Sequence, residues 1–367
     1  MSLIDNMDRT HMARAIQLAE RGFFTTHPNP RVGCVIVKEG LVVGEGWHQK
    51  TGGSHAEIHA LEQASGKAQG ATAYVTLEPC SHHGKTPPCA DALINAGILR
   101  AIVAMEDPNP QVAGAGIAKL KEAGIEVTIG LLESEARELN PGFILRMSEG
   151  RPFVRCKMAM SLDGRTAMAS GESQWITGGD AREDGQRLRA RSSAIMTGVG
   201  TVLADDPQMS VRLAGHSDIT PLRIVLDPHL STPISAKILQ GDAPTLIVTA
   251  VDEPGIQQQF EEAGIEVISV PGRSDTIDLA ALMLVLAKRE INEIHLEAGA
   301  TLSGAMLREG LIDELNIYMA AKLMGSGARA LFNTPGLDLL TDAVDLDIID
   351  IRPVGIDWRI RAKVRGE

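Results

Sequence analysis

The chain is short of the residue types that several function classes require. Its 367 residues include six Phe, three Trp and two Tyr, and 35 Lys and Arg stand against 47 Asp and Glu, a net charge of −12. Sequence-general nucleic-acid binding relies on basic grooves and base stacking, so this composition argues against it. Four cysteines are too few for a disulfide scaffold at this length. The longest apolar run, Leu279 to Ala287, falls far below the ~18 residues of a membrane span. The opening stretch MSLIDNMDRT carries two acids and no apolar centre, unlike a secretory signal. The expectation is a soluble cytoplasmic protein. With 44% hydrophobic and 22% charged residues, it can bury a core, and its length suits two domains.

The pattern divides near residue 150. Before it, Met12, Ala15, Ile16 and Ala19 recur at helical spacing, and Val32–Val37 and Leu41–Val43 read as a hairpin around Lys38-Glu39-Gly40. Helices are expected over His55–Ala64, Ala90–Ala96, Ile117–Glu122 and Glu133–Asn140, with strands over Ala73–Leu77, Ala101–Met105 and Glu126–Ile129. Such alternation implies crossover units on a largely buried sheet. Pro141-Gly142 and Ser148–Pro152 read as punctuation, giving domains over 1–150 and 151–367. Beyond them, strand patterns recur at Phe153–Met158, Ser193–Met196, Arg223–Leu226, Thr245–Val248, Glu266–Val270, Glu293–Leu296 and Leu315–Met319. The tail after Gly325 offers only strand-like runs such as Trp358–Val364. The fold class is α/β in both halves.

Four residues in the first half carry the strongest chemical signal: His55, Glu57, Cys80 and Cys89. One imidazole and two thiolates make a three-ligand zinc site with its fourth position open. A water held there drops to a pKa of about 7, and the carboxylate of Glu57 can take and return its proton. Positions i and i+2 of a regular helix point about 200° apart, so His55 must sit at or before the first turn. His55 and His59 share a helix face, but a zincin needs Glu straight after the first His, and Ala56 stands there. Cys34 and Cys156 lie within strand patterns and read as structural.

H-x-E followed by P-C-x-x-C is the signature of nucleobase deaminases. Here eight residues, Ser81 to Pro88, separate the cysteines. His-Pro-Asn-Pro-Arg-Val-Gly (27–33), His-Ala-Glu (55–57), Glu-Pro-Cys-Ser-His-His-Gly-Lys-Thr-Pro-Pro-Cys (78–89) and Met-Glu-Asp-Pro-Asn-Pro-Gln (105–111) closely resemble the bifunctional riboflavin-biosynthesis deaminase–reductase family. The resemblance implies a cytidine-deaminase-like first domain, acting with Zn2+ on a diaminopyrimidinone that carries a ribosylamino 5′-phosphate. Its metal ligands would be His55, Cys80 and Cys89, with Glu57 catalytic. Asn29, His48, His82 and Lys85 are candidates to touch base or phosphate.

The second half lacks a G-x-G-x-x-G after its first strand. The stretch Ile294 to Ala305 instead runs a strand into Gly299 and on into a helix, whose free amides suit a phosphate. Lys157–Ala167, Gly171–Thr177, Thr201–Pro207 and residues 297–305 resemble the same family's reductase domain, which is similar to dihydrofolate reductase and binds NADPH. The resemblance places the cofactor at Ala159, Trp175, Thr201, Asp205 and the run Gly299, Ala300, Thr301, Leu302, Ser303, Gly304, Ala305. It places the sugar-phosphate substrate at Ser173, Arg189, Met209, Arg212 and Glu297. Lys157, Asp205 and Glu297 could orient the ribose or move a proton. Pro228 stands where relatives often carry a hydroxyl near the cofactor.

The expected function is two successive steps of riboflavin synthesis: deamination of the pyrimidine, then reduction of the ribosyl group to ribityl by NADPH. The ligand is a small-molecule pyrimidine ribosyl phosphate, without nucleic acid or membrane, and an even-numbered homo-oligomer is the base-rate expectation. The rivals are a zinc deaminase of cytidine or tRNA beside a reductase-like domain, and a non-enzymatic zinc scaffold.

Overall fold

The computed structural model describes residues 6–81, 88–110, 112–216 and 218–365. It forms two compact units, Met1–Gly150 and Arg151–Glu367.

The N-terminal unit runs α1 (Asn6–Glu20), β1 (Gly33–Lys38), β2 (Leu41–Trp47), α2 (Ala56–Ala64), β3 (Thr72–Val75), α3 (Cys89–Asn95), β4 (Arg100–Val103), α4 (Ala115–Glu122), β5 (Glu126–Ile129), α5 (Glu133–Leu139) and α6 (Pro141–Glu149). The sheet order is β2-β1-β3-β4-β5. β1 is antiparallel to β2 and β3, while β3, β4 and β5 are parallel. Alternation along β1 sends Cys34 and Ile36 into a core with Ala56, Ala60 and Leu93. Val35 and Val37 face the opposite core, with Met12, Leu18 and Phe143. Buried on both faces, the sheet is a middle layer between helices. Pro141-Gly142 starts a helix here rather than a linker: Pro141 occupies the first turn of α6, where its missing N–H costs nothing.

The C-terminal unit continues with β6 (Phe153–Ser161), β7 (Arg165–Ala167), α7 (Gly179–Arg191), β8 (Ala194–Gly198), α8 (Val199–Asp205), β9 (Leu222–Leu226), β10 (Thr245–Thr249), α9 (Pro254–Glu262), β11 (Glu266–Ser269), α10 (Leu279–Lys288), β12 (Glu293–Leu296), α11 (Ala300–Arg308), β13 (Glu314–Ala320), β14 (Arg329–Ala330), β15 (Leu346–Val354) and β16 (Asp357–Val364). Nine strands form one sheet, β11-β10-β9-β8-β12-β6-β13-β16-β15. All pairs are parallel except those made by β16. The C-terminal tail, unremarkable in composition, supplies the last two strands.

The two faces of this sheet differ in kind. Val154, Cys156, Ile294, Leu296, Leu315 and Ile317 pack against Leu282, Leu286 and Met306 of α10 and α11. On the reverse of the same strands stand Arg155, Lys157, Glu293, His295, Glu297, Glu314 and Asn316. Arg155 donates to Glu314 at 2.7 Å and to Glu293 at 2.9 Å, and Arg361 donates to Glu314 at 2.8 Å. Burial opposes the charge on Glu314, but Arg155 and Arg361 outweigh it and hold the carboxyl at about 2. α7 lies on this side, with Arg189 reaching Glu297 and Asp184 meeting Tyr318 and Arg359.

Candidate functional sites

In the N-terminal unit, α2 brings His55 and Glu57 to the end of the sheet. It lies unusually close to β2, because a Cβ at Gly46 would stand 2.2 Å from the Ala56 carbonyl oxygen. His55 occupies the N-cap position of α2 in extended conformation. It therefore escapes the 200° divergence, and Glu57 sits buried within the first turn. Cys80 follows β3, and Cys89 is the first residue of α3.

The ligand atoms of His55, Cys80 and Cys89 lie within 4.8 Å of one another. His55 Nδ1 is 3.6 Å from Cys80 Sγ and 3.3 Å from Cys89 Sγ. The backbone N–H of Cys89 donates to Cys80 Sγ. Hydrogen bonding from Cys89 and His55 draws the Cys80 thiol down to about 4, and Cys80 in turn pushes the Cys89 thiol up. Two sulfurs this close resist a second negative charge, and a divalent cation relieves that repulsion. One imidazole and two sulfurs are also a zinc donor set, so the trio fits the metal. Burial pushes Glu57 up to about 7. His59 is not in this trio and pairs with Glu62. Cys34 and Cys156 are buried in strands.

Glu78 was not singled out from the sequence, and it braces the Cys80 segment. Its buried carboxylate accepts from the backbone N–H groups of Asp107, Gly114, Gly116 and Ile117. A Cβ at Gly116 would lie 1.9 Å from the Pro79 carbonyl oxygen, so the first turn of α4 and the Cys80 segment are in direct contact. Asn29 Nδ2 is 3.2 Å from His48 Nε2, and the His48 ring meets the His55 ring edge-on at 5.5 Å. His82 and Lys85 lie outside the described residues.

In the C-terminal unit, a cavity of about 1060 Å³ opens along the sheet. That exceeds the volume one small ligand ordinarily fills and suits a dinucleotide beside a substrate. Ala159 of β6, Thr201 and Asp205 of α8, and Ser173, Trp175 and Met209 of the loops line it. From the α11 run come Gly299, Ala300, Thr301, Leu302 and Ala305. Gly299 is the extended N-cap of α11, and the space a Cβ would occupy there is open, so the helix's first amides are accessible to a phosphate. Ser303 and Gly304 do not line the cavity. Ser303 is buried beside Cys156, and Gly304 packs on the Asn333 backbone. A helix shows one side to a ligand and turns its other side to the core.

A second hollow of about 410 Å³ is walled by Lys157, Trp175, Arg182, Arg189, Arg212 and Glu297. Arg189 does not stand open as a phosphate clamp. Its Nε and Nη2 donate to Glu297 at 2.6 and 2.8 Å, and its Nη1 donates to the Ser210 carbonyl. Burial works against the charge on Glu297, but Arg189 and Lys157 hold its carboxyl well below the usual range. His295, buried, lies 2.8 Å from the same carboxylate through Nε2. Arg182 was overlooked in the sequence, although it stands seven residues before Arg189 on the same helical face. It stacks on Trp175 at 4.6 Å.

Comparison with known proteins agrees in both units. Residues 5–105 match the cytidine and deoxycytidylate deaminase zinc-binding region, and residues 152–358 match the RibD C-terminal domain. The riboflavin biosynthesis protein RibD of Escherichia coli is 51% identical over 361 residues, 95% of this chain and 97% of the relative. That of Haemophilus influenzae is 46% identical over 98% of both chains. The structure of Acinetobacter baumannii RibD superposes with a TM-score of 0.91 at 46% identity, covering 98% of this chain and 99% of the other. A Thermotoga maritima structure, described as a diaminohydroxyphosphoribosylaminopyrimidine deaminase/5-amino-6-(5-phosphoribosylamino)uracil reductase, gives 0.86 at 33% identity, covering 98% and 99%. Such likeness over almost the whole of both chains makes this protein a member of the RibD family, the zinc- and NADPH-dependent deaminase–reductases of riboflavin biosynthesis.

Proposed function

We propose that residues 1–150 deaminate 2,5-diamino-6-ribosylamino-pyrimidinone 5′-phosphate and that residues 151–367 reduce the ribosyl group of the product to ribityl. The observation that carries the first step is the trio of His55, Cys80 and Cys89 with the buried Glu57 two residues beyond a ligand. His55 Nδ1 and the two sulfurs would hold zinc, which when bound acts as a Lewis acid and acidifies a water. Glu57 holds a proton on its carboxylate and passes it to the amine that leaves as ammonia. Asn29 and His48 orient the ring beside the ligands.

In the reductase unit, NADPH when bound supplies the hydride. The amides at the start of α11 bind its phosphates, and Trp175 covers a planar ring. Lys157 and Glu297 orient the ribose chain, with Arg189 and His295 fixing the Glu297 carboxylate. Arg212 lines both hollows, and its guanidinium meets the substrate phosphate there. The protein acts in the cytoplasm as a homo-oligomer. Among the described residues no helix is long and apolar enough to cross a membrane.

The test is to supply the diaminopyrimidine phosphate and, separately, cytidine, measuring ammonia, and then the deaminated pyrimidine, measuring NADPH oxidation. Ammonia from the phosphate alone and NADPH oxidation on its product are expected. Ammonia from cytidine alone would overturn the reading.

A further inference from the structure

The loop that carries Asn29 is held by a residue far from it in the chain. Residues 27–32 belong to no helix or strand. Arg31 is nevertheless buried, so its backbone polar groups need partners other than water. Asn140 supplies them. The Arg31 N–H donates to Asn140 Oδ1 at 2.7 Å, and Asn140 Nδ2 donates to the Arg31 carbonyl at 2.8 Å. A carboxamide sets a donor and an acceptor side by side, so here it does for Arg31 what a neighbouring strand would do. The Arg31 guanidinium returns the grip, donating to the Leu139 carbonyl at 2.7 Å and lying over the Phe23 ring at 4.9 Å. Asn140 is also the N-cap of α6, a position where Asn ordinarily turns its side chain onto the helix's own first amides. It makes no such bond. The capping bond is given up, and the buried side chain goes to the loop instead.

Asn29 stands two residues before Arg31, joined to it through Pro30. The proline ring locks its own φ and restricts the residue ahead of it, so fixing Arg31 fixes Asn29. Asn29 Nδ2 lies 3.2 Å from His48 Nε2, and His48 Nδ1 lies 3.1 Å from the Ser54 carbonyl oxygen. A carbonyl can only accept, so Nδ1 carries the ring hydrogen and Nε2 accepts from Asn29. That bond turns the Asn29 amide so that Oδ1 is the atom it offers to an N–H of a pyrimidine. We propose that Asn140 is a positioning residue of the deaminase, acting through Arg31 to hold Asn29 and so to set the orientation of the substrate ring beside His55, Cys80 and Cys89. Asn140 itself touches neither the ring nor a metal ligand. The corner between α5 and α6, which lies outside both matched regions, thereby takes part in the first reaction. The inference rests on the deamination and the role of Asn29 assigned above.

Ammonia release by the full chain from the diaminopyrimidine phosphate, read as KM and kcat separately, tests it. Asn140→Ala should raise KM about tenfold, the effect of one lost polar contact to the ring, with kcat, zinc content and NADPH oxidation on the deaminated pyrimidine little changed. Asn140→Asp keeps the shape but loses the donor to the Arg31 carbonyl, and should move KM in the same direction. Asn29→Ala should raise KM by a similar factor, and the double variant by no more than either alone, because both changes remove the same contact. A merely structural tie behaves otherwise. It lowers the folded fraction, so apparent kcat and the melting temperature fall together while KM stays. KM unchanged in both Asn140 variants, or effects of Asn29→Ala and Asn140→Ala that multiply, overturns the inference and leaves the functional reading standing. Hydrogen exchange of wild type needs no variant to fold: the Arg31 amide, in no strand, should exchange as slowly as the amides of β1, and fast exchange there overturns the inference as well. Wild type that releases no ammonia from this substrate overturns the functional reading, and the inference with it.

Discussion

The two units build their sites by opposite means. The N-terminal unit gathers three donor atoms at one point, from the start of α2, a loop and the start of α3, over a core dominated by alanine on that side. The C-terminal unit lays its site around the C-terminal ends of its sheet strands, with contributions from β6, α7, α8, the segment after β12 and α11. In the first, losing one atom removes the chemistry. In the second, function is shared among groups that hold one another, and removing one leaves another buried and unpaired.

The sharpest break in that contrast is Glu57→Gln. Ammonia release should fall about 1000-fold, with zinc content and NADPH oxidation on the deaminated pyrimidine unchanged. Equal loss of both activities in a folded, zinc-loaded protein would mean that the units do not work separately. Next in size is Glu297→Gln, which strands Arg189 among buried groups. Breaking such a pair costs about 3–5 kcal/mol, so reduction should collapse and the C-terminal unit should melt earlier, while ammonia release continues. Arg212→Ala should raise the KM of the reductase step about tenfold with little change in kcat, as read from NADPH oxidation, because it removes a phosphate contact and no buried partner.

Glu78→Gln sharpens the comparison from the other side. Its new NH2 group would face N–H donors, and zinc should exchange to a chelator about tenfold more readily. A further effect concerns acid. Glu314 titrates at about 2 in the folded chain against about 4.3 unfolded. Its contribution, about 3 kcal/mol, is therefore fully present above pH 4.3 and lost as pH falls through 2. In Glu314→Gln the slope of stability against pH in that window should shrink by up to one proton, measured by denaturant unfolding.

The same contrast explains what could be read in the sequence. His55, Glu57, Cys80 and Cys89 were legible because metal chemistry restricts residue type, and two cysteines with one histidine serve few purposes together. The bracing role of Glu78 was not, since its partners are backbone amides that leave no mark in side-chain identity. In the reductase unit the motif run 299–305 reads as one stretch, yet a helix turns Ser303 and Gly304 away from the cavity. The pairing of Arg189 with Glu297 was hidden because the partners are 108 residues apart. Pro141 resembled a break until its place in the first turn of α6 was known. In the tail the run Trp358–Val364 read as a strand and β16 lies there, whereas its partner β15 was not singled out.

The ionic layer of the C-terminal sheet also dictates the order in which the molecule can be made. Glu314 needs Arg361, and Asp184 needs Arg359, and both arginines lie on the final strand. Domains fold as they leave the ribosome, and the N-terminal unit is a compact cluster formed by the first 150 residues. The reductase unit must wait, with Glu314 held by Arg155 alone and Asp184 without its arginine, until Arg359 and Arg361 have been made. Ending the chain before Arg359 would strip Asp184 of its arginine and Glu314 of one of its two, and spare the deaminase.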